Sequence, residues 1–340
     1  MEKMKKTGIK HNALLQKFFN QGWSPVLIGV LILGLTICFA EPAFRSLTNL
    51  KNILTQSAVT ATIAVGMTFV ILTGGIDISV AMNMFMLMSL MHVLQQLGIP
   101  VALVFLIILV VGSFVGIVNG FLTCIIGIVP MIATFATMAI TRGIAYILIE
   151  NKMVIPDHSL RFFGLTTIGN TTIPLAFVVV AVMVLISSYL LKYTRFGRYV
   201  LAVGNSRSAA KESGINANLI CFFAYAFCGF CTAIASLIYI GRLGAIQTDA
   251  GYGMEFTVIA AVVLGGTKLS GGRGTLLGSI IGCIFLTLIE NGLNLLEING
   301  FYYDVVRGVV LCLAVIVEVI SINRKEKQLA DLRRQRFQET

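Results

Sequence analysis

From residue 78 to residue 141 the chain carries no Asp, Glu, Lys or Arg, and residues 162–191 and 213–241 are equally free of them. A soluble domain cannot be built that way, because its surface needs charged residues at about a quarter of the total. Here the charged share is 12%, against 57% hydrophobic. A helix crossing the hydrocarbon core needs roughly 20 apolar residues, and lipid admits only structures that satisfy their own backbone groups. The fold class read from this pattern is all-α: a polytopic membrane protein of about ten helices. The expected spans are 24–40, 55–74, 78–97, 100–124, 128–149, 174–191, 219–241, 255–267, 275–295 and 302–321.

The net charge of +10 raises the question of nucleic acid, but its distribution answers it. In a ten-span scheme the cytoplasmic pieces hold 18 of the 25 cations: the N-terminal lysines, the loop around residue 200, Lys268, Arg273 and the tail. The outer loops hold Arg45, Lys51, Lys152, Arg161 and Arg242 beside at least as many acids, Glu255 among them. This is the positive-inside pattern of a membrane protein, so no nucleic-acid partner is expected, even for the RRQR run at 333–336. The scheme places both termini in the cytoplasm of an inner-membrane protein. It is a single unit: an N-terminal segment 1–23, a bundle 24–321 with a cytoplasmic loop at 193–218, and a basic tail 322–340. The first span is expected to stay uncleaved.

The loop 194–218 (TRFGRYVLAVGNSRSAAKESGINAN) is basic and Gly-punctuated. Residues 205–213 read as a short helix: Asn205 or Ser206 as N-cap, Ala209 and Ala210 as strong helix formers, Gly214 as C-terminal stop. Without an apolar face to bury in lipid, such a helix is explained as a docking element for a cytoplasmic protein. Its contact set is Arg198, Asn205, Ser206, Arg207, Ala209, Ala210, Lys211, Ser213 and Gly214.

Polar residues on apolar spans are the candidates for a pathway. Asp77, Ser79 and Asn83 sit in TGGIDISVAMN, between two spans, where Asp77 or Ser79 can cap the next helix or act in gating. Asn119, Arg142, Asn291, Asn294 and Arg307 lie on otherwise apolar helices. They can join helices or hydrogen-bond a passing polyol, and Arg142 can reach the outer headgroups. The Gly-rich segment 264–275 reads equally as backbone lining a cavity or as a cytoplasmic turn. Gly112-Ser-x-x-Gly116, Asn119 and Arg142 recur as Gly278-Ser-x-x-Gly282, Asn291 and Arg307, which fits an inverted repeat of five plus five spans. The seven cysteines fall in or at apolar spans; Cys228 and Cys231 form a C-x-x-C on a helix and read as packing residues.

No phosphate-binding loop, zinc-protease motif or nucleophile elbow is present, and the three histidines are scattered. The chain therefore offers no catalytic residue and no metal site of its own. A protein that moves something without its own phosphate-binding loop needs an ion gradient or a separate ATPase.

The segments AVGMTFVILTGGIDISV (64–80), IATFATMAITRG (132–143), TRFGRYVLAVGNSRSAAKESGIN (194–216) and GMEFTVIAAVVLGGTKLSGGRGTLLGSIIG (253–282) carry a resemblance. With them the chain resembles permease subunits of ribose-type ATP-binding cassette sugar importers, a branch that includes galactose, xylose and autoinducer-2 permeases. Ala81 departs from the pattern, which usually has Gly there. The resemblance implies import of a simple sugar and a second permease copy, identical or a sister chain. It also implies an extracytoplasmic sugar-binding protein and a cytoplasmic ATPase partner that holds the ATP and Mg. It makes residues 205–214 the coupling helix against that ATPase. An autoinducer-2 permease and an ion-coupled transporter of a small polar solute are the alternatives; Asp77 and Glu290 are the only carboxylates suited to the second.

Overall fold

A computed structural model describes residues 22–156, 158–169, 173–316 and 319–320. The N-terminal lysines up to Lys17 and the tail from 321 lie outside the described residues. The described chain is helical, with two isolated bridges, Val154 with Ile246 and Thr167 with Pro174, and no strand. The helices are α1 (Ser24–Ala40), α2 (Leu47–Leu72), α3 (Val80–Gln96), α4 (Val101–Gly120) and α5 (Pro130–Leu148). There follow the short α6 (Phe162–Leu165), α7 (Leu175–Tyr193), α8 (Arg195–Asn205) and α9 (Arg207–Glu212). The last are α10 (Ala217–Leu243), α11 (Met254–Leu264), α12 (Leu276–Leu295) and α13 (301–316). Each of the ten expected ranges overlaps one helix, the last of them through residue 316. Six of these helices are long and apolar enough to cross a membrane; α1 and α11 are shorter apolar helices.

Burial sorts the helices by role. α2 is the centre of the molecule, with 94% of its apolar window buried, whereas the windows of α4, α5 and α7 are only 22–28% buried. Leu106, Val110 and Phe114 on α4, Ile132, Phe135 and Ile140 on α5, and Leu185 and Ile186 on α7 are exposed. In lipid that is the comfortable side, because hydrocarbon gives apolar side chains no reason to be buried.

Association between membrane helices rests on close van der Waals packing and on hydrogen bonds, and glycine makes the closest crossings here. α4 lies on α10 where Gly112 and Gly116 meet Gly229: a Cβ on Gly229 would stand 2.8 Å from the Gly116 nitrogen and 2.9 Å from its Cα. Gly66 of α2 rests on Cys228 and Cys231 of α10, so the C-x-x-C is indeed packing. α12 closes on α11 through Gly278 against Gly265 and Gly282 against Ala261. It closes on α2 through a 2.8 Å hydrogen bond between the Thr68 and Ser279 hydroxyls. Exchanging the halves turns the α4–α10 contact into α12–α2, the relation a five-plus-five repeat requires.

The segment 264–275 is a pair of tight turns packed on protein. Gly272 N–H donates to the Leu72 carbonyl at the end of α2 (2.9 Å), and Gly271 and Gly272 take positive φ of 85° and 73°. Both sequence readings are met in part: the segment is a pair of turns, and its Leu264, Gly266, Thr267 and Lys268 also line a cavity of about 420 Å³.

The scheme of sides is tested by cysteine labelling of intact cells with a membrane-impermeant maleimide. Met153→Cys, on an exposed turn after α5, is expected to react, and Ser208→Cys, exposed on α9, is not. External labelling of Ser208→Cys would invert the scheme.

Candidate functional site

Two polar clusters occupy opposite ends of the central helices α2 and α10. At one end, Tyr225 near the start of α10 meets the turn that follows α2; at the other, residues around Gln56 and Thr60 of α2 meet Tyr239 and Arg242 near the end of α10.

The first cluster surrounds Asp77. The turn after α2 begins with Gly74 at φ 81°. A Cβ on Gly75 would stand 2.5 Å from the Tyr225 hydroxyl, so a side chain there has no room. Asp77, 2% exposed, accepts from Ser79 N–H (3.0 Å) and Ser79 O–H (2.6 Å) through Oδ1. Asn119 Nδ2 donates to both Asp77 oxygens (3.2 and 3.3 Å) and to Ser79 Oγ (2.8 Å). Thr134 Oγ1 accepts from Ile78 N–H, and Tyr225 O–H donates to the Ile76 carbonyl. Residues from α4, α5 and α10 thus converge on one turn. Helix capping is not what Asp77 does: Ser79 is the N-cap of α3 and its side chain makes no capping bond. Asp77 makes a local Asx-type bond and a link to Asn119 instead. Ala81, where the pattern usually has Gly, is fully buried. Asn83 is buried beside this region, and its Oδ1 has no hydrogen-bond partner.

Asp77→Asn keeps one carbonyl oxygen for Ser79 but sets an amide NH2 against Asn119. A hydrogen bond lost at a buried donor costs about 1–3 kcal/mol. The variant is expected to reach the membrane folded, with a lower melting temperature and reduced uptake. Wild-type uptake by Asp77→Asn would remove the residue from the pathway.

The second cluster lines a cavity of about 190 Å³ between α2, α10, α11, α12 and α13. Thr60, Tyr239, Asp249, Thr257, Glu290 and Arg307 are among its walls. Gln56, Tyr303, Arg242 and Arg307 are the polar neighbours of Glu290. Arg307 lies over the Tyr303 ring (4.6 Å) and pairs with Asp304 (3.3 Å), its own side chain 14% exposed. Its guanidinium fills the space a Cβ on Gly253 would take, and its Nε has no partner. Glu255, 3% exposed, is buried in the first turn of α11 with Oε2 unpartnered. Ionisable side chains held within membrane helices are costly, pair with one another and mark pathways.

The eight pathway candidates divide accordingly. Asp77, Ser79 and Asn119 form the first cluster, Asn83 is buried beside it, and Arg307 belongs to the second. Arg142 stands at its edge: it donates to the Tyr146 hydroxyl (3.3 Å) and lies 5.9 Å from the centre of Tyr252, a wall of the cavity. Asn291 is helix glue, exchanging two hydrogen bonds with Asn49 of α2 (3.1 and 2.8 Å). Asn294 is exposed at the end of α12, away from both clusters. Sequence reasoning placed Arg242 and Glu255 among outer-loop charges and passed over Tyr239 and Tyr303. The missed signal is their register: Tyr239 and Arg242, and Tyr303 and Arg307, stand one turn apart on helices that face each other.

The predicted docking helix is α9, and it is shorter than expected. Ser206 caps it, accepting from Ala209 N–H (3.3 Å). Gly214 at φ 78° ends it with Gly214 N–H to the Lys211 carbonyl and Ile215 N–H to the Ala210 carbonyl, both 3.0 Å, a Schellman stop. Asn205 is the last residue of α8, and its Nδ2 donates to the Leu201 carbonyl (2.9 Å). Arg198, on the exposed side of α8, donates to the Tyr193 carbonyl. Arg207, Ser208, Ala209, Lys211, Glu212 and Ser213 are exposed. Ala210 is not: at 4% exposure it is packed into its own protein. The expectation that Ala210 faces a partner is therefore corrected, because the short helix sets it on the side toward Ile215 and α10.

Among the described residues no group of three His, Cys, Asp or Glu is placed to hold a metal. The family described as "Branched-chain amino acid transport system / permease component" matches residues 49–315, from α2 through α13. The chain is 35% identical to the ribose import permease protein RbsC of Escherichia coli K12 over 309 residues, covering 89% of this chain and 96% of that protein. It is 36% identical to RbsC of Bacillus subtilis over 294 residues (86% and 91%). It is 31% identical to the galactose/methyl galactoside import permease protein MglC of Escherichia coli K12 over 319 residues (88% and 95%). No solved structure matches the chain.

Proposed function

We propose that this chain, which belongs to the branched-chain amino acid transport system / permease component family, is the membrane-spanning subunit of an ATP-binding cassette importer for a simple sugar. Its relatives import ribose and galactose, and one observation on the chain itself carries the reading: the polar cavity beside Glu290 and Arg307. Its roughly 190 Å³ leaves room for a small polar solute among these side chains. Carboxylates and an arginine take up pairs of hydroxyls, and Tyr239, Tyr252 and Tyr303 add both hydroxyls and ring faces. The Asp77 turn at the other end of α2 and α10 closes the route until the helices shift.

In this reading the chain binds no nucleotide. A cytoplasmic ATPase carries ATP and Mg, a binding protein delivers sugar from outside, and a second permease copy completes the pore. The exposed edge of α9 (Ser208, Ala209, Lys211, Glu212) docks on the ATPase, whose cycle shifts the permease between two states.

The test is reconstitution of the permease with its ATPase and binding protein in vesicles, followed by uptake of labelled ribose and galactose. ATP-dependent uptake of a monosaccharide is the expected result; ATP-independent uptake driven by an ion gradient would overturn the reading. Ala209→Trp, on the exposed edge, is expected to abolish uptake and stimulated ATP hydrolysis together while leaving the melting temperature of the isolated permease unchanged. Ala210→Trp should instead lower that melting temperature, since forced packing costs about 1–3 kcal/mol.

A further inference from the structure

A second cavity, about 480 Å³, opens beneath the Asp77 turn, with Thr73, Gly75, Cys124, Arg207, Cys221 and Tyr225 among its walls. Cys124 lies in the π-helical turn Phe121–Ile126 that ends α4, and Cys221 lies in the first turns of α10. Both thiols lie on the wall of this one cavity although they are 97 positions apart in sequence. Thr123 Oγ1 stands 3.3 Å from Cys124 Sγ, and Thr73 shares the cavity wall with Cys221. Arg207 of α9 brings a guanidinium to the wall of the same cavity. It is held by a 2.7 Å bond to Asn218 Oδ1. A thiol beside a cation, open to a cavity, is the microenvironment in which cysteines react. The other buried cysteines lack it: Cys228 and Cys231 are enclosed at the α2–α10 crossing.

We propose that Cys124 and Cys221 form a peroxide-reactive dithiol whose oxidation cross-links α4 to α10 and locks the inner cavity. One thiolate attacks hydrogen peroxide, breaking its O–O bond to give a sulfenic acid and hydroxide. The second sulfur then attacks the sulfenic sulfur; the S–S bond forms as the S–O bond breaks, and the oxygen leaves as water with the thiol proton. Two thiols are oxidised and one peroxide becomes two waters. Locking follows because the bond ties the π-turn to α10 beside Thr73 and Gly75, where the turn after α2 must yield for the route to open. This last step rests on the transport reading above; the cross-link does not.

The experiment treats the purified full-length permease, and vesicles containing the complete transporter, with hydrogen peroxide. Intact mass should fall by two hydrogens, and digestion should yield a peptide joining Cys124 to Cys221, released by dithiothreitol. Uptake should drop at least tenfold on oxidation and return on reduction. Cys124→Ser and Cys221→Ser should each remove the cross-link and make the ratio of oxidised to reduced uptake close to one, whereas Cys228→Ser should leave that ratio as in wild type. Absence of the joined peptide, or its presence with unchanged uptake, overturns the proposal. If the reduced vesicles take up no sugar, the transport reading has failed, and the mass and peptide still decide the chemistry.

Discussion

Gly229→Leu is expected to prevent the permease from assembling its native bundle. Overfilled contacts usually cost about 1–3 kcal/mol because side chains can shift. At Gly229 the obstacle is backbone, the Gly112 carbonyl and the Gly116 nitrogen and Cα, so α4 and α10 must separate. The loss should exceed about 4 kcal/mol, the range reserved for a disrupted core. Separation would also draw Asn119, one turn beyond Gly116, away from Asp77. The measurement is a fluorescence-detected size-exclusion melt in detergent beside Gly34→Leu. A Cβ on Gly34 meets nothing within 4 Å, and its effect should stay within about 0.5 kcal/mol. Equal melting temperatures for the two variants would show that the α4–α10 crossing is not a keystone of the fold.

The helices themselves were legible because lipid makes each one long, apolar and uncharged. The ends were less so. α2 starts at Leu47 rather than near residue 55, since Asn49, Lys51 and Asn52 dilute its first turns, yet Ser46 caps it there, accepting from Asn49 N–H (3.1 Å). α8 was hidden inside a presumed loop. Gly197 and Gly204 speak against a helix by propensity, but Gly197, Val200 and Val203 form its buried stripe, and Phe196 stacks on Phe69 at 6.1 Å. Gly204 is needed because a Cβ there would strike the Leu72 carbonyl. Asp77 and Arg307 stood out as polar residues on apolar ground. Their partners did not, because a Tyr or Gln on a helix looks the same whether it faces lipid headgroups or a buried carboxylate. Pairing across 42 residues, as between Asp77 and Asn119, or between distant cysteines, is a property of the packed bundle.

Arg307→Ala is expected to abolish sugar uptake. It leaves Glu290 with Arg242 alone and takes from Glu255 the cation beside it. Removing a cation from among largely buried carboxylates is also expected to lower stability. A loss of uptake alone would therefore not separate a brace from a wall of the pathway. The combination Arg307→Met with Glu290→Gln does so, because it removes both charges while keeping length and bulk, a change that is often neutral for stability. If the pair only braces α12 against α13, the double variant should recover both melting temperature and uptake. If the two side chains bind the sugar, melting temperature should return while uptake stays at least tenfold below wild type at saturating binding protein. Recovery of uptake would move the pathway elsewhere. Its failure, in a transporter whose ATPase still responds to the loaded binding protein, would place the sugar between α12 and α13.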